Sequence, residues 1–205
     1  DWAEASCAFL DSCLTWRRKL SADTICLLEP PPKRHLWEEL MQSAPVGYDT
    51  EGHVVIMERP GAVPVSKLVH HFNEGEIMMQ QCYTREALRM YSTANCIRRQ
   101  ARTYKCVTIL DFAGFSFEHK KFIPLMRDMN KTFGYYYPET ISKFYAINVP
   151  FIFRAIWNAM KVFLHPITVQ KFHLLGSNYL TEFTKAGIVL PGDFPAKLPG
   201  WAAEV

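Results

Sequence analysis

The sequence has no Gly-x-Gly-x-x-Gly fingerprint, no Gly-Lys-Ser or Gly-Lys-Thr phosphate loop, and only 10 glycines in 205 residues. Backbone cradles for nucleotide phosphates need glycines at fixed places, so nothing here supports a nucleotide site. A dominant charge is also missing: 23 Lys and Arg against 20 Asp and Glu leave +3. That balance does not point to nucleic acid or to a polybasic membrane anchor, and it leaves room for a weak contact with anionic lipid. The basic positions Arg85, Arg89, Arg98, Arg99, Arg102 and Lys105 read as a solvated face, without the interleaved aromatics of a single-strand binder. The six cysteines (Cys7, Cys13, Cys26, Cys82, Cys96, Cys106) include no Cys-x-x-Cys pair, and the histidines lack His-Glu-x-x-His spacing. No metal is expected, and the cysteines read as reduced thiols of a cytoplasmic protein. No long stretch is purely apolar. The greasiest, Phe144 to Leu164, is broken by Asn148, Pro150, Arg154, Asn158 and Lys161, which argues against a membrane span. The opening Asp1-Trp-Ala-Glu4 carries no basic n-region, so no signal peptide is expected, and the abrupt ends suggest a domain excised from a longer protein.

What the chain has in plenty is apolar surface: 49% of residues, with 14 Phe and 9 Tyr. A chain of this length folds as one domain that buries roughly 70% of its unfolded surface. The aromatic content exceeds what a minimal core needs, so part of it is expected to face a ligand.

Periodicity gives the organisation. Residues 1 to 20 form an amphipathic helix with Trp2, Phe9, Cys13, Trp16 and Leu20 at helical spacing and Arg17, Arg18 and Lys19 in the last turn. Glu29-Pro-Pro-Pro32 breaks the chain and marks the boundary between a helical cap, residues 1–30, and a main body, residues 31–205. A short helix Leu36–Met41 and a turn at Tyr48-Asp-Thr-Glu-Gly52 precede a strand Val54–Glu58, and a long helix Glu74–Arg99 separates it from the next strand, Cys106–Phe112. Helix Glu118–Thr132, strand Lys143–Val149, helix Phe151–Leu164, strand Lys171–Leu175 and helix Asn178–Lys185 follow. Strands alternating with crossover helices predict an α/β fold with a mainly parallel sheet, and the last 15 residues, rich in Pro and Gly, are expected to wrap the outside.

Gly114-Phe-Ser-Phe-Glu118 sits between a strand and a helix, the context of a hydrolase nucleophile elbow, but Glu118 stands where a second glycine belongs. Ser116 is thus either a helix-capping hydroxyl or a hydroxyl facing a pocket, with a small serine esterase as the enzyme alternative. The helix Phe151–Leu164 is apolar around most of its circumference and bracketed by Pro150 and Pro166. It is either buried on all sides or a lid whose aromatics enter a bilayer interface on opening.

Trp16-Arg-Arg18 with Asp23-Thr-Ile25, Ile109-Leu-Asp-Phe-Ala-Gly114, Tyr136-Tyr-Pro-Glu139, Lys143-Phe-Tyr-Ala-Ile-Asn-Val-Pro150, Phe163-Leu-His-Pro-Ile-Thr-Val-Gln-Lys171 and Leu174-Leu-Gly-Ser177 together resemble the CRAL-TRIO domain, in its Sec-fourteen-like, phosphatidylinositol-transfer branch. The resemblance covers nearly the whole chain. It implies a CRAL-TRIO lipid-binding fold, a gated hydrophobic pocket behind a helical cap, and a non-enzymatic protein that takes up one phospholipid and exchanges it at membranes. It also implies headgroup residues Arg17, Glu139, Thr168 and Lys171, a gating helix carrying Phe151, Phe153, Trp157 and Phe163, and an acyl or second-lipid pocket with Tyr83, Ser116 and Glu118. Lys and Arg neutralise a phosphodiester, Thr donates to its oxygens, and Glu orients Arg or accepts from inositol hydroxyls.

Two positions depart from the family pattern: Pro199-Gly200 replaces a Gly-Gly pair, and Glu118 occupies the second hydroxyl position associated with choline. The expected partners are phosphatidylinositol, a second lipid such as phosphatidylcholine, and a transient membrane surface of Golgi or endosomal type. No cofactor and no nucleic acid are expected, and the protein should act as a monomer. A CRAL-TRIO domain that docks a signalling protein is the remaining alternative.

Overall fold

A computed structural model describes residues 1–151, 153, 157, 158, 161, 166–190 and 198. Helix α1 spans Trp2–Lys19, α2 Arg34–Met41, α3 Val65–His71, α4 Glu74–Arg99, α5 Ile123–Tyr136, α6 Pro166–Gln170 and α7 Tyr179–Lys185. Strands β1 Ser43–Tyr48, β2 Val54–Glu58, β3 Cys106–Asp111, β4 Ile141–Ile147 and β5 Phe172–Leu174 form one sheet in sequence order. β1 pairs antiparallel with β2, and every later neighbour is parallel, joined by helical crossovers as the alternating pattern predicts.

The bounds have local causes. Asn73 and Glu76 form a reciprocal capping box that starts α4, and Arg98 and Arg99 lie in its last turn. The Tyr48–Gly52 turn closes a β1–β2 hairpin, with Asp49 accepting from the Gly52 N–H. The sequence reading gave no strand at Ser43–Tyr48, where Pro45 and Gly47 are breakers. As the edge of the sheet, with an irregularity in register between those two residues, β1 tolerates both. The expected helix Glu118–Thr132 opens as a 3-10 turn over Phe117–Phe122, and the α-helix proper begins at Ile123.

The sheet has two unlike faces. Val55, Met57, Val107, Ile109, Tyr145 and Ile147 point to one side and pack on Phe183 of α7 and on Ile188. Val54, Ile56, Cys106, Thr108, Phe144, Ala146, Phe172 and Leu174 share the other side by strand alternation and register. On that face α4 covers Val54 and Ile56 through Leu88, while Leu110, Phe144, Phe172 and Leu174 stay only half-buried. This face is thus less covered along β3 to β5 than beneath α4.

The expected boundary at residue 30 falls inside one hydrophobic cluster. Ala22 and Ile25 of the cap pack with Trp37, Leu68, Phe72, Ile77, Phe133 and Tyr137. Helix α1 itself has no fully buried residue, and it is held by rings: Trp16 stacks on Tyr136 at 4.5 Å and meets Phe133 and Tyr137 edge-on, and Phe9 meets Tyr135. All six cysteines are free. Cys82 and Cys106 are core thiols, whereas Cys7 is exposed.

Candidate functional site

Three of the expected headgroup residues come from segments that end near the amino ends of the parallel strands. Glu139 lies two residues before β4, in a left-handed conformation with φ of 56°, which turns its side chain out of the Tyr136-Tyr-Pro138 run. Thr168 sits in α6, whose Pro166 starts the helix without wasting an N–H. Lys171 follows immediately. Its N–H donates to the Thr168 carbonyl at 3.1 Å and its own carbonyl accepts from Phe144 at 2.7 Å, so β4 fixes the lysine backbone.

Lys171 Nζ lies 3.6 Å from Glu139 Oε2, and Lys105, one residue before β3, donates to the same oxygen at 2.8 Å. The Lys105 hydrogen bond, with the charge of Lys171 behind it, holds the Glu139 carboxyl below the usual carboxylate range. The same bond raises the Lys105 ammonium. Sequence reasoning assigned Lys105 to a solvated face; only the pairing of β3 beside β4 brings it to Glu139.

Arg17 stands elsewhere. Among the described residues its polar partners are Asp23, through Nε and Nη2 at 3.0 and 2.5 Å, and Glu86, through Nη2 at 2.9 Å, with Tyr137 beneath the guanidinium. Glu86 is 1% exposed, and it also accepts from Arg89 Nε at 2.7 Å and from the Tyr137 hydroxyl at 2.6 Å. Burial works against the charge on Arg17, but the bonds to Asp23 and Glu86 outweigh it and raise the pKa. Burial followed by the bond to Glu86 pushes the Tyr137 phenol far up as well. The cluster ties the cap to α4 and to the end of α5. Glu86 gave no sequence signal, since an acid amid Thr84, Arg85 and Ala87 looks like an ordinary outer helix position.

The half-buried face carries aromatics. Phe144 stacks on Phe172 at 4.4 Å, and Trp157 covers Phe172 at 4.6 Å. Phe153 lies 4.4 Å from Phe112, while Phe151 is exposed. These three residues of the expected gating helix are helical, and Phe153 and Trp157 lie over the half-buried face. Most of the helix Phe151–Leu164, Phe163 included, falls outside the described residues, as does the expected C-terminal wrap. At the carboxyl ends of the strands, Asp111 accepts from Ala113 N–H and from Asn148 Nδ2, both at 2.9 Å, which pins the start of this segment to the end of β3. Gly61 and Gly114 touch there; a Cβ on Gly61 would meet the Phe112 and Ala113 carbonyls within 2.6 Å.

The residues expected around a second lipid have other engagements. Glu118 turns outward and accepts from both the N–H and the hydroxyl of Ser66 in the first turn of α3, which lowers its pKa. Ser116 caps the turn at 117–122: its N–H donates to His119 Nδ1 at 3.0 Å and its hydroxyl lies 3.1 Å from the same nitrogen. A nitrogen already accepting a backbone N–H is poorly placed as a general base, and among the described residues no carboxylate orients the buried His119 Nε2. The geometry does not favour the esterase alternative. Tyr83 packs toward the cap, with Arg34 over its ring at 4.7 Å and its carbonyl accepting from Cys26. Among the described residues no His, Cys, Asp and Glu group is arranged to hold a metal, and no helix is long and apolar enough to cross a membrane.

Comparison with known proteins fits this geometry. The model of the CRAL/TRIO domain matches residues 44–188. The chain belongs to the CRAL/TRIO domain family. It is 28% identical over 208 residues to the SEC14 cytosolic factor of Kluyveromyces lactis, covering 98% of this chain and 67% of that one. It is 32% identical over 180 residues to the phosphatidylinositol/phosphatidylcholine transfer protein SFH4 of Arabidopsis thaliana, covering 81% of this chain and 28% of the relative. The crystal structure of Sfh5 shares the fold with a TM-score of 0.65 at 18% identity, over 84% of this chain and 60% of that one. The chain thus spans from about a quarter to two thirds of the length of these relatives.

Proposed function

We propose that this chain binds one phospholipid against the half-buried face of the sheet and exchanges it at membrane surfaces, selecting phosphatidylinositol through Glu139, Thr168 and Lys171. The observation that carries the reading is the meeting of Lys171 with Glu139, and of Thr168 with the Lys171 backbone, at the amino ends of β4 and β5. An ammonium neutralises the phosphodiester, the Thr hydroxyl donates to its oxygens, and the carboxylate accepts from ring hydroxyls. Arg17 adds positive charge from the cap while its Nε and Nη2 remain committed to Asp23 and Glu86. Acyl uptake is driven by burial at about 0.8 kcal/mol per methylene. The segment carrying Phe151, Phe153 and Trp157 covers the lipid and meets the bilayer when it opens.

Two relatives bearing the names SEC14 cytosolic factor and phosphatidylinositol/phosphatidylcholine transfer protein support the reading. No bond is made or broken in this cycle, and no cofactor other than the lipid is required. The protein works as a monomer from the aqueous side of the membrane. Phosphatidylcholine is the weaker ligand, because Ser116 and Glu118 are occupied by His119 and Ser66.

The test is transfer of labelled phosphatidylinositol between vesicles by the unmodified chain and by the Lys171→Ala, Glu139→Ala double variant. Loss of a charged hydrogen bond of about 1.5–3 kcal/mol should reduce transfer by about tenfold or more. Undiminished transfer by the double variant sinks the assignment.

A further inference from the structure

The segments that leave the carboxyl ends of β2, β3 and β4 put apolar side chains into water. Phe117 and Phe151, after β3 and β4, are 74% and 88% exposed, and Ile123 and, in α3 after β2, Val69 are exposed as well. Contacts gather these segments at one end of the sheet. Phe153 meets Phe112 and Phe115, which joins the segment after β4 to the one after β3. Glu118 accepts from the N–H and the hydroxyl of Ser66, which joins α3 to the same turn, and Val69, three residues on from Ser66, shares its helix face. Phe117 is held outward by its neighbours: Phe115 stacks on the buried His119 at 4.7 Å, Ser116 caps the turn on His119 Nδ1, and Glu118 is tied to α3.

Charge at this end is mostly of one sign. Residues 59–73 and 112–128 hold five cations, Arg59, Lys67, Lys120, Lys121 and Arg127, against two acids, Glu118 and Asp128. Arg127 pairs with Asp128, whereas Lys67, Lys120 and Lys121 are exposed and, among the described residues, within ion-pair distance of no carboxylate. The Lys120 ammonium lies 4.2 Å from the centroid of the Phe117 ring, so cation and ring share one spot of surface.

We propose that this end of the sheet is a fixed docking surface for anionic membranes, with Phe117 entering the bilayer interface and Lys67, Lys120 and Lys121 on anionic headgroups, so that the protein docks before the gating segment opens. The choice of a bilayer as partner rests on the exchange reading above. An aromatic tip rimmed by lysines matches the layers of such an interface, apolar within and negative at the surface. The seven residues of β4 span about 20 Å, so the surface is remote from Glu139 and Lys171 at the amino ends of the strands.

The chain is incubated with phosphatidylinositol and then mixed with vesicles of phosphatidylcholine, with or without added phosphatidylserine. The bound fraction is read by flotation and the retained lipid by native mass spectrometry. Phosphatidylserine should strengthen binding, and raised salt should remove that gain. Each of Lys67→Gln, Lys120→Gln and Lys121→Gln should weaken binding to the anionic vesicles about fivefold and leave binding to the neutral ones as it was. Phe117→Ser should weaken binding to both kinds about tenfold, with an unchanged melting temperature because the ring is exposed.

Binding indifferent to Phe117→Ser but lost in Phe151→Ser would mean that the gating segment alone meets the membrane, and the proposal falls. It falls too if the unmodified chain binds neutral and anionic vesicles equally, because the lysines would then have no partner in the bilayer. In either case retained phosphatidylinositol leaves the transfer reading standing. Docking on anionic vesicles through Phe117 by a chain that retains no inositol lipid upholds the surface and sinks the transfer reading.

Discussion

Two ion clusters in this molecule share one formula, a carboxylate between two cations, and differ in their access to water. Glu86, 1% exposed, lies between Arg17 and Arg89 and also accepts from Tyr137. Glu139, 67% exposed, lies between Lys105 and Lys171. In the first, planar guanidinium groups and a phenol satisfy both carboxylate oxygens, as an ion removed from solvent requires. In the second, flexible ammoniums converge on one oxygen, Oε2, and water screens the pair. The closed cluster is suited to locking the cap onto the body. The open one leaves its lysines and its carboxylate within reach of solvent. A single stretch joins them: Tyr136 stacks on Trp16, Tyr137 bonds Glu86, and two residues on Glu139 turns outward.

The sharpest way to break this contrast is to neutralise each carboxylate and compare stability. Glu86→Gln leaves Arg17 and Arg89 facing a neutral amide in a buried site. Breaking a buried ion pair costs about 3–5 kcal/mol, and the partial exposure of both arginines argues for the lower end. A fall in melting temperature large enough to match about 3 kcal/mol is expected. Unchanged melting would show that the cap is held by the aromatic stacking alone. Tyr137→Phe removes one bond to the same carboxylate and should cost about 1.5–3 kcal/mol, with the Trp16 contacts retained.

The open cluster should respond in the opposite way. Glu139→Gln should change unfolding free energy by less than about 1 kcal/mol, because exposed pairs contribute little. It should nevertheless reduce phosphatidylinositol transfer in the vesicle assay. If Glu139→Gln destabilised the chain as much as Glu86→Gln, the open cluster would be a second lock and the contrast would collapse.

The contrast also shows what a sequence carries. The bounds of β2 at Val54–Glu58 and of α4 at Glu74–Arg99 were readable because alternation and end signals are local. β1 was not, because Pro45 and Gly47 are local breakers that only an edge position excuses. Helix α3 was missed for a related reason, being only seven residues long and entered through Pro64. The candidate set Glu139, Thr168 and Lys171 rests on a family resemblance, since polar residues 29 to 32 positions apart carry no spacing signal of their own. Lys105 and Glu86 escaped because their partners come from other strands and from the cap, and burial of a single acid on a long helix is decided by what folds over it.

The smallest effect expected is a shift in titration, and it separates the clusters without a ligand. The Glu139 carboxyl is held below its ordinary value first by the Lys105 hydrogen bond and then by the charge of Lys171. A folded-state pKa below the unfolded one means that the ion pairs contribute stability above the unfolded value, and that this is lost as pH falls through the folded one. The window therefore lies on the acid side of the ordinary glutamate range, and the cluster is intact at neutral pH. Side-chain carboxyl resonances followed by NMR should place the Glu139 midpoint below that of an unpaired glutamate. Lys105→Ala should move it upward more than Lys171→Ala, because the direct hydrogen bond at 2.8 Å outweighs an ammonium at 3.6 Å. A midpoint insensitive to Lys105→Ala would mean that the lysine spends its time in solvent. The open cluster would then reduce to a single Lys171–Glu139 pair.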